Sequence, residues 1–280
     1  MPITWFITGT SSGLGRQLTE TLLARGDRVA ATLRRVEVLD PLREQYGDRL
    51  WVAALDVTDT QVVRRVMDRA FAHWGHIDRV VSNAGYALFG AAEEANDEQI
   101  CRQIDTNLIG SIQVIRAALP HLRRQGGGHI LQVSSEGGQT AYANFSLYHA
   151  TKWGIEGFVE AVAQEVAPFN ITMTLIEPGP AKTGFADGLV RPPLMAEYDA
   201  TPARDVSRAV DNGQFSLTGD PMKMVRAMID CADSPAAPRR LALGSTAYEH
   251  IRASLQQRLE SLEAQKAIAL SADIAAIDRC

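Results

Sequence analysis

The sequence predicts an α/β fold: one doubly wound domain over residues 1–280, with a mostly parallel, seven-stranded sheet and helices on both faces. Three observations predict it. Short apolar runs alternate with longer segments of helical periodicity, and no hairpin signal joins neighbouring runs, so the strands pair in parallel through right-handed crossovers. The runs are apolar throughout rather than alternating, as in sheets covered on both sides. A glycine-rich turn joins the first run to the first helix.

Residues 3–8 read as a buried strand, and Gly9-Thr10-Ser11-Ser12-Gly13-Leu14-Gly15 turns into a helix over 16–25. Leu14, Leu18, Leu22 and Leu23 recur at helical spacing, and Gly26 ends the helix in the usual way. Strands follow over 27–33 and 50–55, then a helix over 58–74 that opens on Thr58 or Asp59 as its cap. Residues 77–82 form a strand ending in Asn83-Ala84-Gly85. A long helix over 97–125 is expected to break near Gly110 and Pro120. After Gly126-Gly127-Gly128 come a strand over 129–134, a helix carrying Tyr148 to about Pro168, and a strand over 171–176 closed by Pro178-Gly179-Pro180. A last strand is expected over 239–243.

Residues 183–217 break the rhythm, and 184–217 read as a loop over a substrate. From 245 to 280 the chain reads as a helical extension, with Ile251, Leu255, Leu259 and Leu262 in one apolar stripe. Either that stripe packs on its own domain or it meets another subunit. Residues 267–280 continue as helix or fray.

Composition narrows the function. The chain is 46% apolar and 22% charged, with a net charge of -5 and a pI near 5.7. Its basic residues come in scattered pairs, which argues against nucleic acid and against an anionic membrane as partners. Cys101, Cys231 and Cys280 are odd in number and lack metal-ligand spacing, which predicts reduced thiols in the cytoplasm and no metal. Neither a signal peptide nor a bilayer-spanning run is expected.

Chemistry concentrates in residues 134–152. Tyr148 and Lys152 are four apart and share a helix face. An ammonium near a phenol favours the phenolate, which suits a group that gives a proton and takes it back. Taken alone, the pair also reads as ordinary helix surface. Ser135 adds a hydroxyl, and strand alternation lets only one of Ser134 and Ser135 face the same point. His149 points a quarter-turn or more away from Tyr148. No G-x-S-x-G turn follows a strand, which argues against a hydrolase. The glycine turn sits where backbone can approach a pyrophosphate at a helix's positive end, although Gly9, Gly13 and Gly15 depart from the common G-x-G-x-x-G spacing.

Thr8-Gly9-Thr10-Ser11-Ser12-Gly13-Leu14-Gly15 resembles the T-G-x-x-x-G-x-G turn of the classical short-chain dehydrogenase/reductase family. Ser82-Asn83-Ala84-Gly85 resembles its N-N-A-G segment, with Ser in place of the first Asn. Asn107, Ser135, Tyr148 and Lys152 match its catalytic tetrad, and Pro178-Gly179 with Thr183 its P-G-x-x-x-T segment. The start of the chain and Ala31-Thr32-Leu33-Arg34 resemble hydroxysteroid and retinol dehydrogenase-like or carbonyl reductase-like members. No specific motif covers the loop from Gly184 or the tail after Tyr248.

The resemblance implies a Rossmann-type domain, a homodimer or homotetramer, and reversible hydride transfer between a nicotinamide cofactor and a ketone or secondary alcohol. Tyr148 would give the proton, Lys152 would lower its pKa and hold the nicotinamide ribose, Ser135 would hold the substrate oxygen, and Asn107 would support a water relay. Asn107 has an alternative role in satisfying buried backbone. The implied cofactor contacts are Gly9, Ser11, Ser12, Gly13, Leu14 and Gly15 in the turn, then Asp56 and Val57 beside the adenine. Asn83, Ala84 and Gly85 follow, with Pro178, Gly179 and Thr183 beside the nicotinamide. A helix-capping role competes for Asp56.

At the end of the second strand a carboxylate would suit NAD and an arginine NADP. The chain has Arg34-Arg35 there and no acid before Glu37, which favours NADP(H) over NAD(H), with Arg34 as first clamp and Arg35 as second. Solvated surface arginines are the alternative. Three readings follow: an NADP(H)-dependent reductase or alcohol dehydrogenase, an NAD-dependent alcohol dehydrogenase, and a non-catalytic dinucleotide-sensing regulator. Retention of all four catalytic matches disfavours the last. Gly137, Gly138, Tyr142, Phe145 and residues 185–195 suggest a partly apolar substrate pocket.

Overall fold

The computed structural model describes residues 2–185, 188–214 and 217–274. Its seven strands are β1 (Thr4–Thr8), β2 (Arg28–Leu33), β3 (Leu50–Ala54), β4 (Arg79–Ser82), β5 (Gly128–Val133), β6 (Ile171–Pro178) and β7 (Arg240–Leu243). They pair in the order β3-β2-β1-β4-β5-β6-β7, and every pair is parallel. The chain winds outward from β1 in one direction and then from β4 in the other. Connections leave these two neighbours toward opposite edges, so a crevice opens beyond their carboxyl ends.

Among the described residues the helices are α1 (Gly13–Arg25), α2 (Asp40–Tyr46), α3 (Thr60–Trp74), α4 (Asp97–Ile104), α5 (Gly110–Gln125), α6 (Ser146–Val166), α7 (Pro202–Asp211), α8 (Pro221–Asp233), α9 (Ser245–Ala264) and α10 (Lys266–Ser271). Val63 of α3, Val114 of α5 and Val159 of α6 share one buried apolar cluster on a face of the sheet. Leu18 of α1, Leu42 of α2 and Val225 of α8 belong to a second cluster on the other face. The predicted layers are therefore present, and the sheet is parallel throughout.

Several local expectations change. Asp59, not Thr58, caps α3, accepting from the amides of Gln61 and Val62. The long helix over 97–125 is interrupted once, by a π-helical turn at Asp105–Ile109. It does not break at Pro120, which sits inside α5 between buried Ala118 and Leu122; packing carries the helix through the missing N–H. Gly110 opens α5 where a Cβ would lie 2.9 Å from Val57, so close approach explains the glycine. Residues 34–49, for which no element was expected, hold α2. The segment 184–217 is not irregular throughout, because it contains α7. Asn144 ties that helix down by donating to Ala203 O and to Ser207 Oγ at 2.8 Å. Residues 186, 187, 215 and 216 of that loop, and 275–280 of the extension, lie outside the described residues.

The α9 stripe divides. Ile251 is buried against the domain, whereas Leu255, Leu259 and Leu262 are 49%, 58% and 61% exposed. Packing on the domain therefore holds for one turn of the stripe, and the other three leucines face outward.

Gly15 fixes how closely α1 approaches the sheet. A Cβ there would stand 2.4 Å from Gly9 O and 2.5 Å from Asn83 Nδ2. Gly15→Ala is expected to destabilise the protein by about 1–3 kcal/mol, the usual cost of an overpacked methyl. Urea unfolding followed by circular dichroism measures it, with Gly157→Ala, which meets nothing within 4 Å, as the neutral control.

Candidate active site

A cleft of about 920 Å³ lies over the carboxyl ends of β1 and β4, at the point where the strand order reverses. Gly9, Ser11, Ser12, Gly13 and Leu14 form one wall. Gly9 and Gly13 have φ of +73° and +57°, and a Cβ on Gly9 would meet Ala84 Cα at 2.8 Å. Neither position tolerates a side chain easily. The N-terminus of α1 has no side-chain cap and no acid in its first turn, so its amide donors remain for an anion. Gly15 does not line the cleft; it serves the helix packing described above.

Arg34 lines the same cleft at the end of β2, while Arg35 does not. Asp56 and Val57 line it after β3. Burial opposes the charge on Asp56, but the amide and hydroxyl of Thr58, with Arg34 nearby, hold its carboxyl below the usual range. The capping role once open to Asp56 belongs to Asp59. Asn83, Ala84 and Gly85 line the cleft after β4, and Asn83 Nδ2 binds Thr8 O and Gly9 O at 2.9 and 3.1 Å. Asn83 thereby locks the β4 turn onto the glycine turn. Pro178, Gly179 and Thr183 complete that end.

Ser135, Tyr148 and Lys152 meet on the opposite wall. Strand alternation separates the two serines as expected. Ser134 Oγ is spent on Glu156 at 2.5 Å, while Ser135 Oγ accepts from Gly137 N at 3.1 Å and keeps its own proton to donate. Tyr148 and Lys152 are both buried on α6, with the lysine Nζ 5.5 Å from the phenol ring centre. That Nζ donates to Val133 O at 3.1 Å.

The electrostatics correct one expectation. Lys152 was expected to make Tyr148 more acidic. Burial instead pushes the Tyr148 phenol up to about 12, against the pull of the Ser135 hydroxyl, and the charge of Glu136 adds to the rise. Burial also lowers Lys152 to about 8, with Glu156 working the other way. Desolvation is the first cause of the shift in both groups.

Asn107 sits in the π-helical turn, buried behind the cleft wall rather than on it. Its Nδ2 donates to Tyr86 O at 2.8 Å and its Oδ1 accepts from Tyr86 N at 3.1 Å. The amide is thus committed to backbone, which is the alternative role. His149 accepts from Tyr142 N at its Nδ1 and also lines the cleft, with its ring centre 5.9 Å from that of Tyr148.

Toward the substrate end the lining turns apolar. Phe145 meets Tyr148 edge-on and Phe185 meets it tilted, at ring separations of 6.0 and 5.9 Å, beside Tyr142 and Val190. Gly137 and Gly138 do not line the space. They make room for His149 and Glu156, the latter 1.7 Å from a Cβ built on Gly138. Sequence reasoning missed Glu136, which lines the cleft, and His250 of α9 behind it. Glu136 carried a signal only in its place next to Ser135; His250 carried none.

Comparison with known proteins agrees with this geometry. The family model described as "short chain dehydrogenase" matches residues 4–192. Oxidoreductase BOA17 of Botryotinia fuckeliana is 38% identical over 248 residues, covering 88% of this chain and 90% of its own. A solved short-chain dehydrogenase from Streptomyces avermitilis superposes with a TM-score of 0.91 at 34% identity, over 98% of this chain and 100% of that one. A second, from Burkholderia cenocepacia in complex with NADP, gives a TM-score of 0.72 at 25% identity, over 94% and 97%. No helix among the described residues is long and apolar enough to cross a membrane. A parallel sheet with its glycine turn at the crossover, and a matched model over more than half the length, lead to one conclusion: this chain belongs to the short-chain dehydrogenase family and is an oxidoreductase.

Proposed function

We propose that the protein is an NADP(H)-dependent reductase of ketones, working reversibly on secondary alcohols, with Tyr148 as its general acid and base. The observation that carries the reading is the shared cleft: the glycine turn, Arg34, Ser135, Tyr148 and Lys152 all line one continuous space. The residues fit a dinucleotide. The uncapped start of α1 offers donors to a pyrophosphate, and Arg34 stands where a 2'-phosphate would need a cation. The NADP carried by the Burkholderia cenocepacia relative supports the same choice. NAD(H) is the second reading, and Asp56 beside the adenine end serves either cofactor.

When bound, the dihydronicotinamide supplies the hydride. The protein's own groups handle the proton. Ser135 holds the substrate oxygen through its free O–H, and Tyr148 protonates that oxygen as its negative charge develops. A phenol near 12 stays protonated throughout the neutral range, which suits reduction. Lys152 stays charged below about 8 and holds the ribose side. Asn107 fixes the Tyr86 turn on the cleft floor, and a water relay through it is secondary. Phe145, Phe185 and Val190 favour an apolar substrate of moderate size. Reduced Cys101 and Cys231 suit the cytoplasm, and the outward half of the α9 stripe suits self-association as a dimer or tetramer.

Tyr148→Phe should lower turnover of a ketone panel by about 10²–10⁴-fold, the usual share of a positioned proton donor, while NADPH still binds. Absorbance of NADPH and its fluorescence on binding read the two quantities. Arg34→Ala removes a charge-assisted contact and should weaken NADPH binding by about 10- to 100-fold while leaving NADH unchanged; equal loss for both would point to NAD. For the pH profile, the sign follows from Lys152. Its charge is present below about 8 and lost above, so kcat/KM for NADPH, set by the unliganded protein, should fall as pH rises through that value. A flat profile to pH ~10 would remove that charge from cofactor capture.

A further inference from the structure

His149 follows Tyr148 on α6, is buried, and lines the same cleft as Ser135 and Tyr148. Its Nδ1 accepts from the backbone amide of Tyr142 at 3.2 Å, so that nitrogen carries no proton. Burial lowers the imidazole to about 4, so at neutral pH the ring keeps one proton, and it sits on Nε2. Among the described residues nothing accepts from Nε2. Nor is the atom sealed in. It does not belong to the fully buried polar atoms left without a partner, so it meets open space, and the space that His149 lines is the cleft.

The ring is held in place. Phe145 stacks on it at 5.7 Å, and Tyr142 meets it edge-on at 5.3 Å. A Cβ built on Gly137 would stand 2.8 Å from His149 Nε2 and 3.4 Å from Ser135 Oγ, so both atoms border one small spot on the wall. The other polar groups around Ser135 are spent or out of reach. Ser134 Oγ donates to Glu156, Tyr142 Oη donates to Glu136, and Glu136 Oε2 is fully buried. A donor with no protein acceptor, fixed beside Ser135 on an otherwise dry wall, is a place for a ligand oxygen.

We propose that His149 is a specificity-determining residue: its Nε2–H binds a second substrate oxygen, on the carbon next to the reacting carbonyl, and so selects α-oxygenated ketones over plain ones. The proposal rests on the reductase reading above. Ser135 and Tyr148 hold the oxygen that reacts, and His149 holds its neighbour. The rings of Phe145 and Phe185 leave the rest of this end apolar, so the class that fits is an α-hydroxy or α-alkoxy aryl ketone. His149 gives up no proton in this role; it orients the ketone.

The test uses the full chain, NADPH and two matched pairs of ketones. α-Hydroxyacetophenone and propiophenone differ by hydroxyl for methyl; α-methoxyacetophenone and butyrophenone differ by ether oxygen for methylene. In both pairs kcat/KM should favour the oxygenated member beyond the ratio found for reduction by borohydride, which measures the carbonyl's own reactivity. His149→Phe keeps an aromatic ring and removes the donor, and should shrink both ratios by about 3- to 10-fold, the worth of one hydrogen bond. His149→Gln, whose amide donates from near the same place, should keep part of the preference. NADPH fluorescence reports whether each variant folds, and the borohydride comparison needs no variant. Ratios in the unsubstituted protein that match borohydride, or that His149→Phe leaves unchanged, would overturn the proposal. A preference confined to the hydroxy ketone would also overturn it, because that pattern requires an acceptor. Absence of NADPH oxidation with every ketone would overturn the reductase reading and the proposal with it, a failure visible before any ratio is formed.

Discussion

The carboxylate of Glu156 holds the back of the site together. It accepts from Ser134 Oγ, forms an ion pair with Arg240, and lies one helical turn beyond Lys152 on α6. Glu177 on β6 shares the same guanidinium and accepts from Gln139 at 2.7 Å. Burial pushes both carboxyls upward and the arginine contacts pull them back. Removing one member of such a group leaves an uncompensated buried charge, so the set stands or falls as a unit. Four chain segments far apart in sequence are thereby pinned: the end of β5, α6, β6 and β7. The cleft wall with Ser135, Tyr148 and Lys152 is the front face of that assembly.

This arrangement explains two glycines whose role is not conformational. Gly138 has no room for a methyl because Glu156 occupies it, and Gly137 has none because His149 does. Bulk is excluded behind the site so that buried polar groups can approach backbone. The acidity of Tyr148 follows the same logic. A wall dry enough to hold these carboxylates is dry enough to suppress ionisation of the phenol, and the lysine charge does not offset it.

Much of this was legible in the amino-acid order, because period and composition report local choices. The seven strands, the turn glycines and the cap at Gly26 depend on near neighbours, and each falls within a residue or two of its expected place. Pro120 misled because propensity says nothing about packing, and packing carries the helix past it. The acidity of Tyr148 was misjudged for a related reason: spacing along a helix reveals a charged neighbour but not the loss of water around both. Glu136 and Tyr142 share one stretch after β5, but His250 comes from α9, and no periodicity links residue 136 to residue 250.

The contacts of the C-terminal extension tie it to the flanks of the site. Ser254 Oγ and Arg258 Nη2 both donate to Gln139 O, at 2.7 and 3.0 Å. The Arg258 guanidinium also lies 4.9 Å from the Trp153 ring centre, over the exposed side of α6. Ala247 packs so closely on Gly179 that a Cβ there would meet its amide at 3.1 Å. These ties fasten α9 to the turn after Ser135 and to the strand end at Pro178–Gly179, the two segments that flank the reacting groups. The half of the cleft that holds the glycine turn is built from turns whose residues are dictated by backbone geometry. The other half is lined in part by the segment holding α7, through Val190 and Val210, where no such geometry constrains the side chains. That second half is the part of the wall free to vary without disturbing the sheet, so differences in what such a cleft accepts fall there.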